Sequence, residues 1–397
     1  MVILLILFVL LGVLIGILTG LMPGLHINLV ASAIVFFLPF LKLDPLLASI
    51  LILSISITHI FLDFIPTTFL GIPTPDNATS LLPSHELVLK GKAHEAIFLS
   101  ALGCLLGILL ISSISPFLFP VVYKSYSTMS RFIPYLLILS LLILLLKENN
   151  KIWALITLLA AGIFGIASFS LNINHVLFPI FSGLFGLSSL IASINWETNI
   201  PEQDITEVKI SSAKTPLILI KSLLASLLVG FLPGTGPAQA SVIATSLSKN
   251  NERKDYIMIT AAINSIVMVI AVIALFTINK ARNGAVAIIS GIFPESLTWQ
   301  YFALFLAVIL LASGIAAIAT ITISKIFLKI FRKINYRLLS FLIIFIITAM
   351  VILISGAAGL LILAIATCIG LIPIAKKVSR NHLMACLIVP IVLYYLL

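Results

Sequence analysis

The chain has 397 residues, of which 61% are hydrophobic and only 9% charged, where a soluble domain carries roughly a quarter charged residues. A mean hydropathy of +1.27 excludes a globular protein folded in water and makes lipid the solvent for most of the surface. The net charge of +10 lies in short segments between apolar runs rather than in one patch, which argues against nucleic-acid binding and follows the positive-inside rule.

The apolar runs are continuous, which excludes the short alternating strands of a β-barrel. Since a spanning helix needs about 20 apolar residues, the chain has room for about 10–13 membrane segments in an all-α polytopic bundle. The first half carries runs at 2–20, 25–41, 46–62, 96–122, 132–146, 152–169 and 176–194. The first of these has no basic leader and no small-residue cleavage site, and reads as a retained span. Residues 195–214 form the least hydrophobic stretch, with Glu197, Glu202, Asp204 and Glu207, and read as a linker between a first half at 1–194 and a second at 215–397. The second half has runs at 216–231, 238–247, 256–278, 285–293, 297–323, 338–355, 357–374 and 382–397. Those at 238–247 and 285–293 are too short to span and read as half-helices or re-entrant pieces.

Basic residues concentrate at Lys325, Lys329, Arg332, Lys333 and Arg337, and again at Lys376, Lys377 and Arg380. Two basic loops separated by one helical hairpin belong on the same side, so loops 325–337 and 376–380 are predicted cytoplasmic in a multi-pass cell-membrane protein. The three cysteines lie inside apolar runs with no metal or disulfide spacing.

An internal repeat carries most information. GILTGLMPGLHINLVAS at 16–32 aligns with ASLLVGFLPGTGPAQAS at 225–241 at an offset of 210, matching Gly20, Pro23 and Gly24 to Gly230, Pro233 and Gly234. Proline removes a helix donor and glycine permits positive φ, so each Gly-x-x-Pro-Gly breaks its helix. The backbone groups so freed are tolerated at membrane depth only inside protein or along a wet cavity. Paired interruptions in two halves point to a transporter's midplane site, here with the halves expected as inverted repeats.

These motifs resemble the large permease subunit of the tripartite tricarboxylate transporters (TctA). The matching segments are GLMPGLHINLVAS (20–32), GIPTPDNATSLLPSHELVLKGKAHEAI (71–97) and GFLPGTGPAQASVIATSLSK (230–249). GKAHEA at 91–96 is similar to the family's Gly-x-Ala-x-Glu-Ala. The chain departs from the pattern at LHIN (25–28), at TPDNAT (74–79) and at TAAINSI (260–266), which keeps only Asn264 of an expected polar segment. The resemblance implies a permease that moves an organic anion with an ion gradient, assisted by an extracytoplasmic binding protein and a small membrane subunit.

Polar residues at lipid depth are costly and are candidates for function. His26 and Asn28 follow the first break, and Thr235, Gln239, Ser241 and Thr245 follow the second. There, free N–H groups and the positive helix end attract anions; interhelical hydrogen bonding is the structural alternative. His59 and Asp63, four apart on one helix face, suit a proton or ion relay, or an interfacial pair holding a helix end. Thr67, Thr68, Thr74, Asp76, Asn77 and Thr79 read as a polar loop, with Pro73 and Pro75 suppressing helix. The substrate-binding set is thus Pro23, Gly24, His26, Asn28, Thr74, Asp76, Asn77, Thr79, Pro233, Gly234, Thr235, Gln239 and Asn264, with His59, Asp63 and Ser241 for coupling. Arg282 could balance an anion or snorkel to the interface.

No phosphate-binding loop, zinc-protease helix or nucleophile elbow occurs, so no enzyme activity and no cofactor is expected beyond Na⁺ or H⁺ as the coupling ion. The expected partners are a small-molecule anion and membrane lipid. A homo-oligomeric assembly and an accessory binding protein are further candidates; nucleic acid is not. The alternative function is a protein handling a polyprenyl-phosphate-like lipid, as flippase or enzyme; a structural scaffold is a third.

Overall fold

The computed structural model describes residues 2–22, 43–70, 81–130, 132–171, 176–193, 201–205, 214–231, 236–246, 253–292, 298–330 and 336–396, with isolated positions at 27, 30, 31, 34, 173 and 208. Every regular element among them is helical. In the first half these are α1 (Val2–Gly20), α2 (Pro45–Leu62), α3 (Phe64–Leu70), α4 (Leu81–Leu89), α5 (Ala93–Ser130), α6 (Ile133–Lys147) and α7 (Lys151–Ser170). Next comes α8, running from Leu177 to Ser193 through a π-helical stretch at Ser182–Leu187. The second half has α9 (Thr215–Gly230), α10 (Pro237–Ser246), α11 (Arg253–Ile278), α12 (Gly284–Ile292), α13 (Trp299–Ile330) and α14 (Tyr336–Lys376). A 3₁₀ turn at Arg380–Met384 leads into α15 (Ala385–Leu396).

Among the described residues seven helices are long and apolar enough to cross a membrane: α1, α5, α7, α11, α13, α14 and the joined α2–α3 segment Pro45–Phe69. Local chemistry sets several boundaries. Asp44 caps α2 by accepting from the backbone N–H groups of Leu46 (2.9 Å) and Leu47 (3.3 Å), with Pro45 in the first turn where its missing donor costs nothing. Asn150 caps α7 through Trp153 N–H. Gly356 (φ 67°, ψ −164°) breaks α14 between the two apolar runs expected there. The short runs become α10, with 10 residues, and α12, with 9.

The core divides into two bundles, each drawn from both halves of the chain. In the first, α2 packs on α1, α12 and α13, while α11 packs on α5, α9, α10 and α4. These two helices form the centre, and α11 is buried continuously from Ile257 to Thr277. In the second bundle α7 packs on α15 and α14, and α14 on α8. Its apolar cores join Leu158 and Phe164 of α7 to Cys386 of α15, and Leu187 of α8 to Ile347 of α14.

Lipid supplies no hydrophobic force to hold helices together, so close approach over small residues does that work. A Cβ at Gly12 or Gly16 of α1 would lie 2.6 Å from Ser54 Cβ or Thr58 Cβ of α2. One at Gly103 or Gly107 of α5 would lie 2.7 Å from Met258 O or Ser265 Oγ of α11. In the second bundle Gly165 sits against Cys386, and Gly370 against Leu184.

Three local expectations are corrected. Thr67 and Thr68, read as loop residues, lie in α3, because Asp63 carries the helix on through Asp63 N–H to His59 O (2.9 Å) and Thr67 N–H to Asp63 O (3.2 Å). Lys325 and Lys329 sit on the end of α13 rather than in a loop. Arg380, read as a loop charge, is buried. Its guanidinium donates to Leu184 O (3.0 Å), Phe185 O (2.9 Å), Ser188 Oγ (2.9 Å) and Ser189 Oγ, oxygens at the π-helical stretch of α8.

Candidate functional site

The end of α1 carries the first interruption. Leu21 N–H and Met22 N–H close its last turn on Ile17 O (3.1 Å) and Thr19 O (3.3 Å), after which the helix stops. Its last residue, Gly20, rests on α2: a Cβ there would lie 2.7 Å from Leu62 Cβ and 3.0 Å from His59 O. Thr19 Oγ1 lies 3.2 Å from His59 Nδ1. His59 and Asp63 are both buried, at 5% and 7% exposure. With Thr67 they occupy positions i, i+4 and i+8 of one helical path and therefore one face. His59 is thus seated beside the end of α1.

In the second half, α9 ends against α11. Gly230, the last residue of α9, would place a Cβ 2.8 Å from Ile270 Cγ2 of α11. Asn264 is buried in α11 and Ser241 in α10. Ser265 donates to Cys104 O (2.9 Å) and Cys104 Sγ to Ala261 O (3.2 Å), which ties α11 to α5. Ser222 Oγ of α9 reaches Ile259 O (3.4 Å). Arg282 is half-buried between α11 and α12. Pro23, Gly24, His26, Asn28, Thr74, Asp76, Asn77, Thr79, Pro233, Gly234 and Thr235 lie outside the described residues, as does the Gln239 side chain.

The GKAHEA segment turns from α4 into α5 and is a clasp between distant parts of the chain. Gly91 has φ +74°, and a Cβ there would meet Glu202 O at 2.8 Å. The polar linker lies on this turn: Asp204 N–H donates to Gly91 O (2.8 Å), Gln203 Nε2 to Val88 O (2.9 Å), and Gln203 Oε1 accepts from Ala93 N–H (3.0 Å). His94 pairs with Ser324 of α13 at 2.9 Å, and Glu95 with Lys254 at the start of α11. An adjoining pair, Glu86 with Arg253, is half-exposed, and such a pair contributes little to stability.

Sequence reasoning missed a polar knot in the second bundle. Glu148 Oε2, at the α6–α7 turn, accepts from Ser379 N–H (2.9 Å) and lies 3.1 Å from Nε2 of the fully buried His382. Together with Arg380 it fastens the 3₁₀ turn to α6 and α8. The available signal was the Ser-Arg-Asn-His cluster immediately before an apolar run.

The fold and its buried polar residues define an integral, multi-pass α-helical membrane protein whose expensive polar groups are gathered inside protein rather than turned to lipid. The chain belongs to the tripartite tricarboxylate transporter TctA family, which it matches over residues 6–385. It is therefore of the membrane permease component of such transporters, as its sequence motifs suggested. It is 30% identical over 388 residues to the uncharacterised protein MJ1079 of Methanocaldococcus jannaschii, covering 94% of each chain. No solved structure matches it.

Proposed function

We propose that the chain carries a small organic anion, of the carboxylate class, across the membrane with an ion gradient, by alternating access between the two Pro-Gly breaks. The observation that supports this best is the seat of His59 and Asp63. A buried imidazole lies beside the end of α1, with a buried carboxylate one turn further along α2 on the same face. Titratable groups are expensive inside a membrane protein and mark ion or proton paths there.

On this reading residues 1–194 and 215–397 are inverted repeats joined by 195–214. Reciprocal packing supports it: α1 on α2 is matched by α9 on α11, α13 on α2 by α5 on α11, and α12 on α2 by α4 on α11. In the second bundle α7 on α15 is matched by α14 on α8. The half-helix tips bearing His26 and Asn28, and Thr235 and Gln239, face the anion together with Thr74, Asp76, Asn77, Thr79 and Asn264. His59, Asp63 and Ser241 couple it to Na⁺ or H⁺. The basic residues near 325–337 and 376–377 face the cytoplasm, and an accessory binding protein delivers the substrate, as the family's tripartite name suggests.

The test is uptake of labelled di- and tricarboxylates into proteoliposomes under an imposed Na⁺ or proton gradient. The wild type accumulates label. A variant with Pro23–Gly24 and Pro233–Gly234 replaced by Ala–Ala inserts normally and does not. Undiminished uptake by that variant removes the site assignment.

A further inference from the structure

We propose that Glu148 and His382 form a pH-operated latch, which clamps the turn between α14 and α15 onto the turn between α6 and α7 and releases it on acidification. The latch lies in the second bundle and uses none of the residues assigned to substrate or coupling, so it stands apart from the anion reading.

What each partner can donate fixes its protonation state. Ser379 N–H donates to Glu148 Oε2 (2.9 Å), and Nε2 of His382 lies 3.1 Å from the same oxygen. A carboxylate only accepts, so the imidazole carries its proton on Nε2 and leaves Nδ1 bare. His59 and His94 differ, because each pairs with a hydroxyl, Thr19 or Ser324, that can give or take a proton. The His382 side chain is fully buried, and its Nδ1 has no hydrogen-bond partner among the described residues. A second proton can enter only at Nδ1. There it creates a buried N–H without an acceptor, at the desolvation cost of an unpaired donor. In water the same imidazolium satisfies both N–H groups, so opening the turn is the route by which the ring takes up a proton.

Neighbouring charge does not reverse this. The 3₁₀ turn is packed by α6, α7, α14 and α15. Besides Glu148, their charged groups at this end are Lys147, Lys151, Lys376 and Lys377, with Arg380 in the turn itself. Lys376 Nζ lies over the Trp153 ring at 4.2 Å, and the Arg380 guanidinium is spent on oxygens of α8, a helix with no titratable residue. Cys386, the first titratable group of α15, is a buried thiol. The turn lies outside the seven spans. Burial holds the His382 imidazole below its ordinary value of 6.5, and the hydrogen bond and charge of Glu148 offset this only in part. The closed turn therefore binds fewer protons than the open one. The latch is at full strength above about pH 6.5 and weakens as the pH falls below it.

Amide hydrogen exchange of the purified full-length protein tests this, because it reads local opening. It is followed on peptides covering residues 377–386 and compared between variants at equal pH, so that intrinsic exchange rates cancel. His382→Gln keeps an N–H donor toward Glu148 and removes the titration. The wild type and this variant exchange alike at about pH 7.5. At about pH 5.5 the wild type exchanges about tenfold faster, the factor expected one unit below the free histidine value, while the amides of α11 show no difference. Glu148→Gln keeps an acceptor and removes the charge that favours the imidazolium, so it loses at least as much protection on acidification as the wild type. Equal exchange in the wild type and His382→Gln at both pH values overturns the latch, as does an acid response that vanishes in Glu148→Gln. If His382→Gln does not fold, the Glu148→Gln comparison alone decides.

Discussion

Gly91 and Arg380 both hold the fold in ways that their sequence context did not reveal. Gly91 opens the GKAHEA motif, which the sequence identified only by its similarity to a family pattern. Its φ of +74° and the Glu202 carbonyl 2.8 Å from a built Cβ place it in a clasp. Gly91→Ala should therefore lower stability by about 1–3 kcal/mol, the cost of a strained left-handed conformation, read as a lower melting temperature in detergent. Loss of uptake at a temperature where the variant is fully folded would contradict an architectural role. Arg380 was legible only as a basic residue near Lys376 and Lys377. Its burial depends on the π-helical stretch of α8, which single-sequence periodicity does not reveal. The guanidinium donates to four oxygens spread across a turn. A lysine ammonium, with three donors on one atom, cannot span them. Arg380→Lys should lower the melting temperature, at about 1–3 kcal/mol for each acceptor left buried and undonated. An unchanged melting curve would show that the fork is dispensable.

At the scale of elements, apolar run length makes the helices legible, because backbone hydrogen bonds in lipid must be satisfied within the segment. The runs at 256–278 and 132–146 correspond to α11 and α6, and Gly356 divides α14 where its two apolar runs meet. The further helix at Phe64–Leu70 was hidden by Pro73 and Pro75, which suggested a loop. Helix α4 was likewise absorbed into a presumed loop. What a run of small residues does depends on its neighbour, which the sequence does not name. Gly16 and Gly314 look alike in sequence, since both sit inside apolar helices. A Cβ at Gly16 would lie 2.6 Å from Thr58 Cβ and 2.9 Å from Ile55 O, whereas one at Gly314 meets nothing within 4 Å. The same Gly→Ala substitution should therefore change sign. At Gly314 it stabilises by about 0.5–1 kcal/mol through reduced backbone entropy. At Gly16 overpacking costs about 1–3 kcal/mol and pushes Thr19 away from His59. Melting temperatures that shift the same way in both variants would contradict close α1–α2 packing.

For the whole molecule, the polar segment at 195–214, read from the sequence as a linker between two halves, does not separate independent folding units. Sequence periodicity identifies which face of a helix is apolar and leaves its partner undefined. Here α2 is covered by α13 as well as α1, α11 by α5 as well as α9, α7 by α15, and α8 by α14. Separating the halves would expose the core faces of all these helices and strand Glu95 from Lys254 and Glu148 from His382. The described residues 201–205 of this segment stay with the first half, since Gln203 and Asp204 bond to the α4–α5 turn. A chain break between 208 and 214 therefore cuts no hydrogen bond described above. Expressed alone, residues 1–208 and 209–397 should each be degraded or aggregate. Co-expressed, they should purify together through a tag on one half and melt as a single species, because re-forming either bundle requires helices from both. Two halves that fold separately and fail to co-purify would mean that each buries its own core, and that the interlocked packing across the sequence midpoint is wrong.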